Sequence, residues 1–387
     1  MSARPPAFDV AVVGAGPAGS TTARGLAQAG LRVVLLEKSC FDQPRVGESL
    51  APDVQPTLKA LGLWAQFCAL QSLPSFGIRS VWGSATMRER SHLMSPWQHG
   101  WHVDRMQFDR MLADGAARAG AEVRLNTRVR GCIDGGDEFR ILIGQGVAGA
   151  AELRARFVVD ATGRGASLAR SLRARHAVFD RLVAVATQFD DPAARSHCFT
   201  LVESTTDGWW YSAPVGAERS VVMLMCDGDL VRSGQLAAAP GWDGALNRTS
   251  ATAERMTRRG HTPVWGPAIF PAVSQRLRRP ATGSRRWLAV GDAALAVDPV
   301  SGSGVIRALE TARSAVATVL AVLSAQDEAL TAYESARDAE CTDYLVERAN
   351  YYNLERRWQS PFWQRRAGLT RVDSVPAALT SLANRRR

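Results

Sequence analysis

The stretch FDVAVVGAGPAGS, residues 8–20, constrains this chain more than any other feature. A β-branched apolar run ends at Gly14, glycines recur at 16 and 19, and GPAGSTTARGLAQAG then carries apolar residues at helical spacing as far as Gly30. LRVVLLE is a second apolar strand, ending in Glu37. The pattern predicts a strand–turn–helix–strand unit that binds a dinucleotide. In such a unit Gly14 permits the tight turn, Gly16 lets the backbone approach a pyrophosphate, and Gly19 lets helix and strand pack closely. Pro17 and Ala18 open the helix, whose N-terminal N–H groups face the phosphates. Glu37 lies 18 residues after Gly19, where an acid binds ribose hydroxyls, and Lys38 follows it in the same candidate set.

A nicotinamide-dependent dehydrogenase would continue through further strand–helix repeats to six parallel strands. This chain turns instead into three strand-like runs, EVRLNTRV, FRILIG and ARFVVDATG, which read as a β-meander and favour FAD. Far downstream, RWLAVGDAALAVDPVSGSG at 286–304 again sets a buried strand before a Gly-rich loop that opens a helix. Gly291 and Asp292 stand just past that strand, where a carboxylate hydrogen-bonds the polyol chain of a flavin. The free N–H groups of Gly302, Ser303 and Gly304 aim at the flavin ring and stabilise negative charge on it. The two loops are expected to grip the phosphate end and the ring end of one FAD.

At 387 residues the chain is too long for one small core. The fold class expected is α/β: a Rossmann-like FAD-binding domain with an inserted β-sheet substrate domain and C-terminal helices. FAD-binding segments are read at 1–75, 101–176 and 276–330, substrate-domain segments at 76–100 and 177–275, and a helical region at 331–387. Within the insertion LVAVATQF, GWWYSAPV and SVVMLMC read as strands and 243–260 as a helix; 303–323 and 327–350 are also helical. The six cysteines form no CxxC and have no histidine at metal-ligand spacing, so neither disulfides nor a metal are expected. No apolar run approaches the roughly 18 residues of a membrane span, and MSARPPAFDV lacks a signal-peptide core, which reads as a soluble cytoplasmic protein. The net charge of +10 is almost all arginine, spread along the chain apart from short clusters such as RLRRP and the terminal NRRR. It reads as a solvated surface and not as a nucleic-acid interface.

Taken together, VGAGPAGS with Glu37, RVGESLAP at 45–52, GWHVDRMQFDRML at 100–112, VVDATGR at 158–164 and WLAVGDAALAVDPVSGSG resemble the FAD-dependent aromatic hydroxylase superfamily, with the p-hydroxybenzoate hydroxylase fold, over about residues 8–330. GESLAP, GWWYSAP and SVWG resemble the branch that holds flavin-dependent halogenases and the monooxygenases that modify a tryptophan residue in tryptophylquinone cofactor biogenesis. The resemblance implies that Arg45 and Arg105 belong to the FAD site, the latter from the start of its helix. It places Asp160 and Gly163 in a second dinucleotide-side motif, and Asp292 and Pro299 near the flavin ring.

Two departures bear on the reaction. Halogenases of this branch carry a lysine beside the substrate in a segment resembling SFGIRSVWG, residues 75–83, which contains none here. Their WxWxIP signature, resembling 209–214, reads WWYSAP. On one strand the paired tryptophans face opposite sides, so one of them can line a pocket; Trp210 takes that place among the candidate catalytic residues, with Pro299 and with His102 in the Trp97–Trp101 aromatic cluster. The expected activity is a flavin-dependent monooxygenase that hydroxylates an electron-rich aromatic, an indole, using FAD, O2 and electrons from NAD(P)H or from reduced flavin made by a separate reductase. The substrate is free, carrier-bound or a tryptophan within a partner protein. The rivals are a halogenase without the usual lysine, an isoprenoid double-bond reductase, and a non-catalytic flavin-binding sensor or scaffold.

Overall fold

The structure is a computed structural model that describes residues 7–144, 150–257, 262–279 and 286–367. Strand Ala7–Val13 carries fully buried Val10, Ala11 and Val12, as a parallel strand covered on both faces requires. It pairs in parallel with Val33–Leu36 on one side and Ala150–Asp160 on the other. Trp287–Ala289 joins the far side of Ala150–Asp160, again in parallel. The register aligns Val13 with Asp160 and Asp160 with Ala289, so three distant loops leave one edge of the sheet side by side. Ligands of open α/β sheets bind at that edge, past the carboxyl ends of the strands.

Helices Pro17–Gln28 and Gly304–Leu323 pack together beneath this edge, closely enough that a Cβ on Gly25 would stand 2.7 Å from Val316 Cγ2. The meander exists, but its members differ from the sequence reading. Arg128–Asp134, Phe139–Gly144 and Ala150–Asp160 form it, whereas Glu122–Arg124 pairs in parallel with Val33–Leu36 at the opposite edge. EVRLNTRV spans both places because the chain breaks direction at Asn126, whose φ is +51°.

The second sheet has seven strands in the order Thr262–Pro271, Leu182–Asp190, Arg219–Asp227, Gly208–Pro214, Phe199–Thr205, Gly77–Val81 and Arg88–Ser91. Phe199–Thr205 and Thr262–Pro271 were not expected from the sequence. The first mixes polar and apolar residues, and the second holds three prolines within an edge strand, where a missing N–H donor is tolerated. The expected helix at 243–260 is two helices, Ala239–Leu246 and Ala251–Thr257, and residues 258–260 lie outside the described residues. These short helices cover one face of the sheet, and the Glu328–Asn353 and Pro361–Gln364 helices cover the other.

Candidate FAD site

The first loop separates two uses of glycine. Gly14 has φ +104°, and a Cβ there would overlap the Ala161 carbonyl; a Cβ on Gly19 would overlap the carbonyl of Gly14. Those two glycines serve the protein's own packing. Gly16 has φ −72°, which any residue adopts, and its absent Cβ would meet nothing within 4 Å. It leaves open space at the start of the helix. Gly16 is also the N-cap of the Pro17–Gln28 helix and offers no side-chain cap, so the N–H groups of Ala18 and Gly19 face the opening.

The last loop is built the same way. Gly291, at φ +59°, lies against Ala18, where an added Cβ would come within 2.7 Å of the Ala18 Cβ, so the two Gly-rich loops touch. Pro299–Ser301 forms a single 3₁₀ turn, with Pro299 half-buried at its start, and Gly302 at φ +63° swings the chain into helix Gly304–Leu323. Ser303 is the N-cap, but its hydroxyl lies 3.0 Å from Ser301 Oγ and caps nothing. Nothing would meet a Cβ on Gly302 or Gly304 within 4 Å. By contrast, helix Arg105–Arg118, at the same side of the molecule, is capped by Asp104, which accepts from Met106 N at 2.8 Å. Two helix ends are thus left without caps beside one another, each lined with glycine.

Charged side chains connect these loops. Glu37 is buried; its Oε2 accepts from Ala15 N at 2.8 Å and its Oε1 from Ser39 Oγ at 2.7 Å, which pins the first loop to the end of the second strand. Arg45 Nη2 reaches the same Oε1 at 3.2 Å, while its Nη1 donates to Asp109 Oδ2 at 2.7 Å. Asp109 in turn receives Nε and Nη2 of Arg105, whose Nη1 donates to Val46 O at 2.7 Å. Burial lowers the Arg105 pKa, but the carboxylates of Asp109, Glu48 and Asp292 outweigh it and the net shift is upward. All three Arg105 nitrogens are engaged within the chain, so it brings fixed positive charge to the site and holds the Val46–Gly47 turn. Lys38 is exposed and has no ion pair among the described residues.

Asp160 is fully buried, with Oδ1 accepting from Thr162 N at 2.9 Å and Oγ1 at 2.6 Å, and Oδ2 from Ala169 N at 2.7 Å. Its oxygens are turned into its own loop, which they hold in shape; Gly163, in the same loop, has φ +67°. Arg164 joins this loop to the last one. It donates to Val273 O at 2.6 Å and Val297 O at 2.8 Å, and its Nε lies 3.4 Å from Asp292 Oδ2. Asp292 is 35% exposed, so part of its carboxylate remains open toward the site.

Of the catalytic candidates, Trp210 requires correction. It is 1% exposed and packs on Trp242 at 4.9 Å between ring centroids, on the face covered by the short helices, because strand alternation turns it away from the parallel sheet. Trp209 and Tyr211 face the other way. Trp209 Nε1 donates to Tyr352 OH at 3.0 Å, and Tyr352 OH donates to Asp298 Oδ2 at 2.8 Å, so the large sheet is tied to the turn that holds Pro299. Asp298 is fully buried, and burial raises its pKa. His102 is also fully buried; burial, with Arg255 adding to it, pushes its pKa down to about 3, so the ring is neutral at pH 7. Its Nδ1 lies 3.2 Å from Ser49 Oγ, which also meets Thr200 Oγ1 at 2.7 Å and Tyr211 OH at 2.8 Å. Next to Ser49, burial pushes Glu48 up to about 7.

Sequence reasoning missed Asp109, Arg164, Asp298, Glu48, Ser49 and Tyr211. Asp109 had a readable signal, since it stands four residues after Arg105 on one helix face. The others depend on contacts between distant segments.

Open space at Gly16, Gly302 and Gly304, two uncapped helix ends and carboxylates at both ends suit a long dinucleotide, anionic in the middle, with hydroxyls on either side. Residues 7–348 match the model of a single family, described as FAD binding domain. The chain belongs to that family. The flavoprotein is 29% identical over 364 residues to the protein named FAD-dependent oxidoreductase LodB of Marinomonas mediterranea, a match that covers 93% of this chain and 96% of LodB. Its structure superimposes with a TM-score of 0.85 on the myxobacterial chondrochloren halogenase CndH, at 24% identity, covering 99% of this chain and 91% of that one. The TM-score to QhpG, a peptidyl tryptophan dihydroxylase essential for tryptophylquinone cofactor biogenesis, is 0.73 at 25% identity, covering 94% and 79%. The flavoprotein is therefore an FAD-dependent enzyme of the aromatic hydroxylase superfamily, similar in fold to both a halogenase and a hydroxylase. None of the described helices is long and apolar enough to cross a membrane.

Proposed function

We propose that this enzyme is a monooxygenase that hydroxylates an electron-rich aromatic ring, an indole, and that the indole is a tryptophan residue of a partner protein. The observation that carries the reaction type is the composition of the segment at 75–83. It holds no lysine, and a Cβ on Gly77 would overlap the carbonyl oxygen of Arg90 on the paired strand, so no side chain reaches out from that position. Selective halogenation needs a group that holds hypohalous acid beside one carbon, a proximity effect worth roughly several kcal/mol. Arg79, in the same segment, lies over the Phe199 ring at 4.4 Å and pairs with Glu89 at 3.0 Å, so its guanidinium is already engaged within the chain. The protein-bound indole is supported by the likeness to QhpG.

Reduced FAD supplies, with O2, the oxygen that an electron-rich ring takes up. The chain's own work is to bind and to shield. The Pro17–Gln28 helix end and Gly16 receive the pyrophosphate, Glu37 accepts from the ribose, and Asp292 accepts from the polyol chain. The uncapped end of helix Gly304–Leu323 stabilises negative charge at the ring. The Tyr211 face of the large sheet, tied down through Ser49, Tyr352 and Asp298, roofs the ring and keeps water out. Such a site needs no conspicuous acid–base pair.

Mass spectrometry of an indole-bearing substrate turned over with reduced flavin and O2 in excess bromide tests the assignment. The expected product gains oxygen; a gain of bromine without oxygen would overturn it. Flavin reduction by NAD(P)H alone or only with an added reductase identifies the electron source, and absence of any turnover-linked O2 uptake would favour a sensor or scaffold.

A further inference from the structure

A groove of about 510 Å³ opens between helices Val54–Ala60 and Trp64–Ala69 and residues 96–101, and none of its lining residues belongs to the Gly-rich loops. The same helices also carry a packed layer in which Val54 and Leu58 join Phe108 and Leu309, the last of these on helix Gly304–Leu323, and Phe67 and Trp101 belong to both the layer and the groove. The groove is of the size of small-molecule sites, which run to roughly 300–1,000 Å³. Trp64, Phe67, Trp97 and Trp101 give it aromatic walls, and no aspartate or glutamate lines it.

Its one cation is Lys59. The ammonium stands 5.6 Å from the ring centroid of Trp64 and 5.7 Å from that of Trp97, and it has no carboxylate partner among the described residues. Two ring faces hold the charge in place without neutralising it. A carboxylate arriving from outside would gain a charge-assisted hydrogen bond and break no existing ion pair. An aromatic body on the same molecule would bury area against Trp97, which is 37% exposed at the rim, and against Trp101 behind it.

We propose that this groove binds an aromatic carboxylate, its ring against the tryptophans and its carboxylate on Lys59, at a site separate from the flavin site. The proposal does not depend on the reaction performed there. Calorimetry on the FAD-loaded enzyme compares indole-3-propionate with its neutral amide and with tryptamine. Saturable binding of the carboxylate alone is expected. Lys59→Gln should weaken it by about tenfold and Lys59→Arg by much less, as for loss of one charge-assisted contact. Trp97→Ala should weaken it as well, and none of the three variants should change FAD affinity. The photoprobe 4-benzoylbenzoate should label peptides within 55–72 or 96–101 and be displaced by indole-3-propionate. Equal affinity for the amide, unchanged binding in Lys59→Gln, absence of saturable binding, or labelling confined to 208–214 or 299–304 would each overturn the proposal.

Discussion

Where the strands ending in Val13, Asp160 and Ala289 run out, the chain leaves room and unused hydrogen-bonding capacity; around strand Gly208–Pro214 it fills the space with aromatic side chains. At the first edge Gly16, Gly302 and Gly304 face open space, and two helices start without side-chain caps. In the large sheet Trp209 and Trp210 are each 1% exposed, and the Trp209 N–H, the Tyr352 hydroxyl and the Asp298 carboxylate satisfy one another in turn. The difference teaches where to look for ligands. Gly16, with ordinary φ and no neighbour at the start of a helix, leaves room for a ligand, whereas a buried tryptophan needs only a core.

The largest effect expected tests that contrast in both directions. Trp210→Ala should cost about 3–5 kcal/mol of stability, as for other buried tryptophans, while the folded protein keeps its FAD affinity. Gly16→Val should do the reverse. It should change apoprotein stability by no more than about 1 kcal/mol, yet weaken FAD binding by about 100-fold or more, about 2.7 kcal/mol. Denaturant unfolding and flavin titration of both variants check this; a Gly16→Val protein with wild-type FAD affinity would break the comparison.

A second test sits between the regions, at Glu48. Folded Glu48 holds its proton up to about pH 7, because burial penalises the charge, against an ordinary value of 4.5. The folded state therefore binds the extra proton between these values, and the stability this contributes is complete below 4.5 and is lost as pH rises through 7. Glu48→Gln does not titrate, so the wild type should lose about 3 kcal/mol relative to it between pH 4.5 and 8. Unfolding curves at pH 5 and 8 measure the difference; the same gap at both pH values would show that the carboxyl is not held neutral.

The smallest effect sharpens the assignment at the open edge. Asp292→Ala removes a carboxylate about one-third exposed, whose protein partner is Arg164. FAD affinity should fall by about 1.5–3 kcal/mol, the value of a charge-assisted hydrogen bond, with little change in the melting temperature. An FAD dissociation constant and turnover rate both unchanged would remove Asp292 from the site.

The sequence by itself determined the strand–turn–helix–strand unit, the two Gly-rich loops and the α/β class. These rest on local rules: glycine at turns, apolar spacing along 12 to 20 residues of helix, and an acid at a strand end. It also placed Asp109 within reach, one helical turn past Arg105. Only the tertiary structure decided which face of the large sheet looks toward the flavin edge, that Trp210 is core while Tyr211 meets Ser49, and that Asp160 spends both oxygens on its own loop. Strand alternation in the sequence separates Trp209 from Trp210 but does not say which partner covers either face. The Glu328–Asn353 helix settles that from more than a hundred residues away, by bringing Tyr352 between Trp209 and Asp298. Burial of Glu48 and His102 has the same origin. A side chain's solvation, and with it its charge, is set by segments that meet only when the chain is folded.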